Sequence, residues 1–271
     1  ATSLGFGAQQ AASGLHFLFD IPNTINVQIA IIFGVTAVAV FSVVRGLDGG
    51  VKVLSNINMV MAAVLLAFVF VVGPTGTIVT NVLETGKSYL TTIVPLSNWI
   101  GREDEKFFHG WTVFYWAWWI SWSPFVGMFI ARVSRGRTVR QFIVAVLLVP
   151  TLVTLVWMAV FGGSALYQVE ADMGALADGL EDVSLAMFQM LDNLPLAPIT
   201  SFVAICLVLV FFVTSSDSGS LVIDSITAGG KLDAPVVQRI FWATIEGVVA
   251  AVLLFGGGAD ALGALQAAAI C

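Results

Sequence analysis

Charge is what this chain of 271 residues has least of. Only 10% of its residues are Asp, Glu, Lys or Arg, against about 25% in a soluble globular domain. Some 58% are hydrophobic and the mean hydropathy is +0.97, so too little polar surface exists to cover a water-soluble fold. The 11 Lys and Arg form no groove or patch of the density that nucleic acid needs. Cysteine is scarce as well: Cys206 lies inside an apolar run and Cys271 is the last residue, which gives neither a disulfide framework nor a metal spacing. The two histidines, His16 and His109, sit at the ends of apolar runs and make no metal or catalytic centre. No nucleophile–base pair accompanies them, so the chain does not read as an enzyme. A signal-peptide pattern is missing too. The chain starts at Ala1 in what reads as the later part of a span and stops inside another, and the expectation is a fragment cut at both ends.

What is present is a series of apolar runs long enough to cross a bilayer, which takes roughly 20 helical residues. The fold class expected is an all-α polytopic membrane protein. The whole chain, 1–271, reads as one transmembrane domain, with a partial span at 1–19, full spans at 25–45, 52–73, 109–133, 139–162, 196–215 and 235–256, and a partial one at 260–271. Pro22, Pro74, Pro95, Pro195, Pro198 and Pro235 fall at or near the ends, where proline is tolerated; only Pro124 and Pro150 fall well inside. Residues 75–108 read as a long connection carrying an amphipathic piece at 88–96, and 183–192 as a short outer helix.

The charges order these runs. Arg45, Lys52, Arg132, Arg135, Arg137, Arg140, Lys231 and Arg239 flank alternate connections, whereas the connection 163–195 has six acids and no base. By the positive-inside rule the basic connections face the cytoplasm, so the Trp-rich run points inward. The net charge of −6 comes mainly from the acidic connections and does not indicate a basic ligand.

Three features could carry chemistry. The stretch 111–125 holds five Trp, one Tyr and two Phe. Trp118 and Trp122 are four apart and Trp119 and Trp122 three apart, so their rings share a helix face. Several indole faces around one point suit a cation that cannot donate hydrogen bonds, such as a quaternary ammonium. Packing against neighbouring helices, or an interfacial belt, is the competing reading. Within the same run, Ser121-Trp122-Ser123-Pro124 should loosen the helix, because Pro124 leaves the carbonyl of Ile120 without its N–H; an ordinary proline kink is the alternative.

Next, residues 214–220 hold five hydroxyls and one carboxylate. Hydroxyl oxygens and freed carbonyls form the all-oxygen environment that hard cations prefer, sodium first. Alternatively, the hydroxyls bond back to their own helix and Asp217 caps a short helix at 218–228. Finally, Glu246 is an ionisable residue inside a span, a functional candidate by default.

Thirty nearly continuous residues, WTVFYWAWWISWSPFVGMFIARVSRGRTVR at 111–140, resemble the signature of the betaine/choline/carnitine transporters, most closely their glycine betaine branch. TSSDSGSLVIDSITAGGK at 214–231 is similar to a second segment of that family and GALQAAAI at 263–270 to a third. The resemblance covers essentially the whole chain. It implies an inverted-repeat fold like that of the bacterial leucine transporter, with this chain running from within the fifth of twelve spans to the start of the twelfth. It also implies a multi-pass protein of the bacterial inner membrane, and trimers are known in the family.

Residue by residue, the resemblance implies that Trp118, Trp119 and Trp122 bind or admit a trimethylammonium substrate, with Phe125 beside them. Phe211, Thr214 and Ser215 match positions of a sodium site, and the retention of both hydroxyls favours sodium as coupling ion. No other cofactor is implied. The family's glycine-rich third span and aromatic fourth span lie outside this sequence, so the chain alone is expected to hold half a site and not to transport. The function expected is secondary import of glycine betaine or a related quaternary-ammonium osmolyte by alternating access. A proton-coupled or exchanging carrier of choline or carnitine, and a membrane sensor that binds without transporting, are the alternatives.

Overall fold

The computed structural model describes residues 2–98, 100–180, 182–231 and 235–257, together with Gly263. The partial span expected at 260–271, and the segment 263–270 that carries part of the resemblance, lie almost wholly outside the described residues. Among those described, the secondary structure is helical throughout, without strands. The long helices are α1 (Thr2–Phe19), α2 (Ile25–Gly46), α3 (Lys52–Val72), α4 (Thr75–Ser97), α6 (Phe114–Val133), α11 (Ala197–Thr227) and α12 (Val236–Gly257). Shorter pieces are α5 (Glu105–Phe107), α7 (Val139–Ile143), α8 (Val149–Trp157), α9 (Gly163–Glu170) and α10 (Ala186–Asp192). Two π-helical turns, Val144–Leu148 and Met158–Gly162, join α7, α8 and α9 into a continuous run.

Among the described residues, five stretches are long and apolar enough to cross a membrane: Ile25–Arg45, Gly49–Val72, Val139–Glu170, Ala197–Thr227 and Val236–Gly257. With 20 residues, α6 falls outside this set because its Trp, Tyr, Ser and Pro residues lower its hydropathy. Those are polar or amphipathic residues rather than lipid-like ones.

The chain forms two compact units. The first gathers α1, α2, the start of α3 to Ala62, α6 from Phe114 to Ala131, α11 from Phe202 onward, and α12. Its core joins Leu4 and Ala8 of α1, Ile32, Val35 and Ala39 of α2, Val213 of α11, and Ala250, Ala251 and Leu254 of α12. The sequence dictates which faces meet. On α1 the buried residues are mostly Gly, Ala and Ser, which let backbones approach closely. The buried residues of α12 recur at 243, 247, 250, 251 and 254, one stripe of a 3.6-residue period. At Gly247 the approach is so close that a Cβ would lie 2.1 Å from the Thr36 hydroxyl of α2. At Gly7 a Cβ would fall 2.0 Å from the Phe212 ring of α11.

Residues 63–113 and 132–201 form the second unit. There the connection expected over 75–108 is instead a 23-residue helix, α4, followed by a short loop. Its Thr and Ser side chains lower hydropathy without opposing helix, because Thr80, Thr91, Thr92 and Ser97 donate to carbonyls of their own helix. Asn81 of α4 packs against Gly163 of α9. Thr138 starts α7 with a capping box, its hydroxyl accepting from the Gln141 N–H at 3.3 Å while the Gln141 side chain accepts from the Thr138 N–H at 3.0 Å. Buried Gln168 ties α9 to α10: it donates to the Met190 carbonyl at 3.1 Å and accepts from Asn193, just past α10, at 3.1 Å.

One sequence expectation is corrected here. The alternative in which Asp217 caps a short helix at 218–228 does not hold, and the helix read over 196–215 continues to Thr227 as one 31-residue helix, α11. Asp217 lies in its interior and is completely buried. The Ser-Asp-Ser-Gly run has turn chemistry, but Val213, Ser216, Asp217, Ser220, Leu221 and Asp224 form a buried stripe with helical spacing, and tertiary packing overrides the local preference.

Candidate functional site

Every site residue singled out from the sequence falls in the first unit. The aromatic cluster is built on one continuous helix. Pro124 does not break α6. The carbonyl of Ile120, which loses its usual donor at Pro124, accepts instead from the Ser123 hydroxyl at 3.0 Å. Ser121 similarly donates to the Trp118 carbonyl at 3.0 Å. The Ser-x-Ser-Pro sequence therefore supplies its own replacement hydrogen bond, and the helix carries Phe114, Trp118, Trp122 and Phe125 along one side.

The three expected tryptophans have different surroundings. Trp118 is half-buried in a nest of rings. It stacks on Tyr115 (centroids 6.0 Å apart, planes at 17°) and lies 5.3 Å from Phe114 and 6.1 Å from Phe6 of α1. Trp119 is 64% exposed, with Tyr115 at 6.3 Å and 66°. Trp122 is half-buried and Phe125 is 37% exposed. One face of Trp118 is thus occupied by Tyr115, whereas Trp119 presents indole surface that the rest of the chain leaves uncovered. Trp119 therefore presents an open ring and Trp118 is packed among rings.

The expected ion-site residues share a face of α11. Phe211, Thr214, Ser215 and Ser218 are spaced i, i+3, i+4, i+7. The Thr214 hydroxyl donates to the Phe211 carbonyl at 2.8 Å, and the Thr214 carbonyl accepts from the Ser218 hydroxyl at 2.9 Å. A hydroxyl that donates inward still has lone pairs to offer a cation. Thr214 and Ser215 are half-buried and Phe211 is exposed, its ring edge-on to Phe212 at 5.3 Å.

Adjacent residues of α1 relate the two groups. The Phe6 ring meets Phe114 and Trp118 of α6. Gly7 meets the Phe212 ring of α11. Phe6 carried no signal in the sequence, because nothing local distinguishes one Phe in an apolar run from another.

Sequence reasoning also missed a polar seam inside the same unit. The Ser42 hydroxyl of α2 donates to Asp217 Oδ2 at 2.5 Å. Ser216 and Ser220 of α11 each donate to Glu246 Oε2 of α12 at 3.1 Å. Further along, the Arg239 guanidinium of α12 pairs with Asp224 at 3.3 Å. Glu246 stood out as an acid in a span; its hydroxyl partners did not. The spacing of Ser216, Asp217, Ser220 and Asp224 on one helix face was the available signal, hidden by the assumed break.

A model of the betaine/carnitine/choline family of transporters matches residues 1–271. Over 271 residues the chain is 64% identical to glycine betaine transporter 1 of Vibrio parahaemolyticus, covering all of this chain and 52% of that protein. It is 60% identical over 271 residues to a glycine betaine/proline/choline/ectoine transporter of the same organism, of which it covers 48%. With a glycine betaine transporter of Bacillus subtilis it shares 43% identity over 273 residues, or 52% of that protein. The chain spans about half the length of the curated relatives it matches. The match over its full length places this chain in the betaine/carnitine/choline transporter family.

Proposed function

We propose that the natural protein carrying this chain is a secondary transporter of the bacterial inner membrane that imports glycine betaine or a related quaternary-ammonium osmolyte together with sodium. The observation that carries the reading is the aromatic cluster of α6, where Trp119 leaves its ring uncovered beside a stack of Tyr115, Trp118 and Phe114. A trimethylammonium group carries full charge but no N–H, so water holds it weakly and an indole face competes well for it. The names of the similar proteins, which include glycine betaine and choline, support the same class of ligand.

Sodium is assigned to the face of Thr214 and Ser215. Ion binding there favours the state open to substrate, and the bundle then rocks around the site to give alternating access, as in leucine-transporter-like inverted repeats. Homotrimeric assembly belongs to the same proposal. The family is one of transporters, and no enzymatic role is proposed.

Tryptophan fluorescence of the natural protein, titrated with glycine betaine in sodium and in potassium, tests the reading. Saturable quenching at a lower midpoint in sodium is expected. Titration curves that coincide in the two salts refute sodium coupling, and a protein that prefers choline over betaine by an order of magnitude refutes the substrate.

A further inference from the structure

We propose that Asp217 anchors a sodium site of its own, built with Ser42, Ser216, Ser220 and Glu246 in the seam between α2, α11 and α12, and separate from Thr214 and Ser215. The proposal is independent of the transport reading.

It rests on an oxygen with nothing to bond. Asp217 is 0% exposed in the middle of a helix apolar enough to cross a membrane. Its Oδ2 accepts from Ser42 at 2.5 Å. Its Oδ1 is buried and has no hydrogen-bond partner among the described residues. Leaving a carboxylate oxygen bare in such surroundings is costly, and a bound cation removes the cost.

The neighbouring atoms are suited to that cation. The hydroxyls of Ser42, Ser216 and Ser220 give their protons to carboxylates, which leaves their lone pairs as ligands. Glu246 adds a second carboxylate, and all the donors are oxygen, the preference of a hard cation. Gly219 lies beside Glu246, and a Cβ there would only make ordinary van der Waals contact with its two carboxylate oxygens, at 3.6 and 3.7 Å.

The nearby guanidinium groups do not bond to Asp217. Arg239 of α12 pairs with Asp224, two turns along α11, and Arg45 of α2 stands over the Phe41 ring at 4.7 Å. The ligands proposed here do not include Thr214 or Ser215, although Thr214, three residues before Asp217, lies within one turn of it on α11. Thr214 and Ser215 lie on the Phe211–Ser218 face of α11, and Asp217 lies on the buried stripe with Val213, Ser216 and Ser220.

Equilibrium binding of radioactive sodium to the natural protein in lipid nanodiscs tests this at fixed pH and ionic strength. The thermal midpoint is followed over the same sodium range. The Thr214→Ala/Ser215→Ala double variant is expected to keep a saturable sodium component, and adding Asp217→Asn is expected to abolish it together with the sodium-dependent rise in midpoint. Full sodium stoichiometry in Asp217→Asn overturns the proposal, as does complete loss of binding in the double variant. Should Asp217→Asn not fold, Ser42→Ala carries the test: about tenfold weaker sodium binding is expected from loss of a charge-assisted hydrogen bond, and unchanged affinity overturns the proposal. Betaine uptake is not read in this experiment, so failure here and failure of the transport reading are distinguishable.

Discussion

Replacing Trp119 and Trp118 in parallel separates ligand contact from scaffold. Trp119 is 64% exposed, and among the described residues its ring contact in the cluster is with Tyr115, near edge-on. Trp119→Ala should therefore leave folding stability within about 0.5 kcal/mol, as for substitutions outside packed regions. The loss should fall on binding. One desolvated cation–π contact contributes about 2 kcal/mol, which is roughly a 30-fold rise in Kd. Trp119→Phe keeps a smaller ring face and should lose only part of that. Trp118 behaves in the opposite way. It touches Phe6, Phe114 and Tyr115, and truncating a fully buried Trp costs about 3–5 kcal/mol. Half-buried, Trp118→Ala should cost roughly 2 kcal/mol of stability. The assays are isothermal titration with glycine betaine and thermal unfolding in the same lipid or detergent. The reasoning is refuted if Trp119→Ala lowers the melting midpoint as much as Trp118→Ala while binding betaine like the unaltered protein.

Other consequences concern the helices that hold the site. Gly247→Ala puts a methyl group 2.1 Å from the Thr36 hydroxyl and 2.8 Å from its methyl, and overpacking of this kind costs about 1–3 kcal/mol. Thr36→Ala removes both collisions, and since the Thr36 hydroxyl is buried without a hydrogen-bond partner, the double variant should regain most of the lost stability. Additive losses in unfolding experiments would contradict the α2–α12 contact. Ser123→Ala should cost about 1 kcal/mol because Ile120 loses its replacement donor. In a Pro124→Ala background, where the backbone N–H returns, the same change should cost nearly nothing, and equal costs in the two backgrounds would exclude the compensation. Arg239→Ala should destabilise more than the Arg239→Ala/Asp224→Ala pair, because the single change strands a buried carboxylate. A more stable single variant in the same melts would argue against the pairing.

The layout of apolar runs was legible because composition and helix period speak directly to membrane-spanning helices. α2 and α12 are helices over nearly the same residues as the apolar runs read at 25–45 and 235–256. α4 was not legible over its whole length, since Thr, Ser, Glu and Lys disguised a helix whose hydroxyls bond to its own backbone. Asp217 was misread for a related reason. Its neighbours have strong turn and capping tendencies, and the Ser42 hydroxyl that meets it comes from a helix 175 positions away. The aromatic run stood out at once, yet the separation of Trp119 from Trp118 needed Phe6 and the Tyr115 stack, which no spacing within α6 supplies. Thr214 and Ser215 lie together on a half-buried face, and whether they hold an ion is a question of binding rather than of packing.

The central claim is sodium-driven import of a methylated onium. Its most direct test is uptake of labelled glycine betaine by proteoliposomes holding the natural protein, with an inward sodium gradient, with equal potassium, and with excess choline outside. The account predicts accumulation that requires the sodium gradient and survives choline. Uptake indifferent to sodium, or binding of betaine with no accumulation under any gradient, would contradict it.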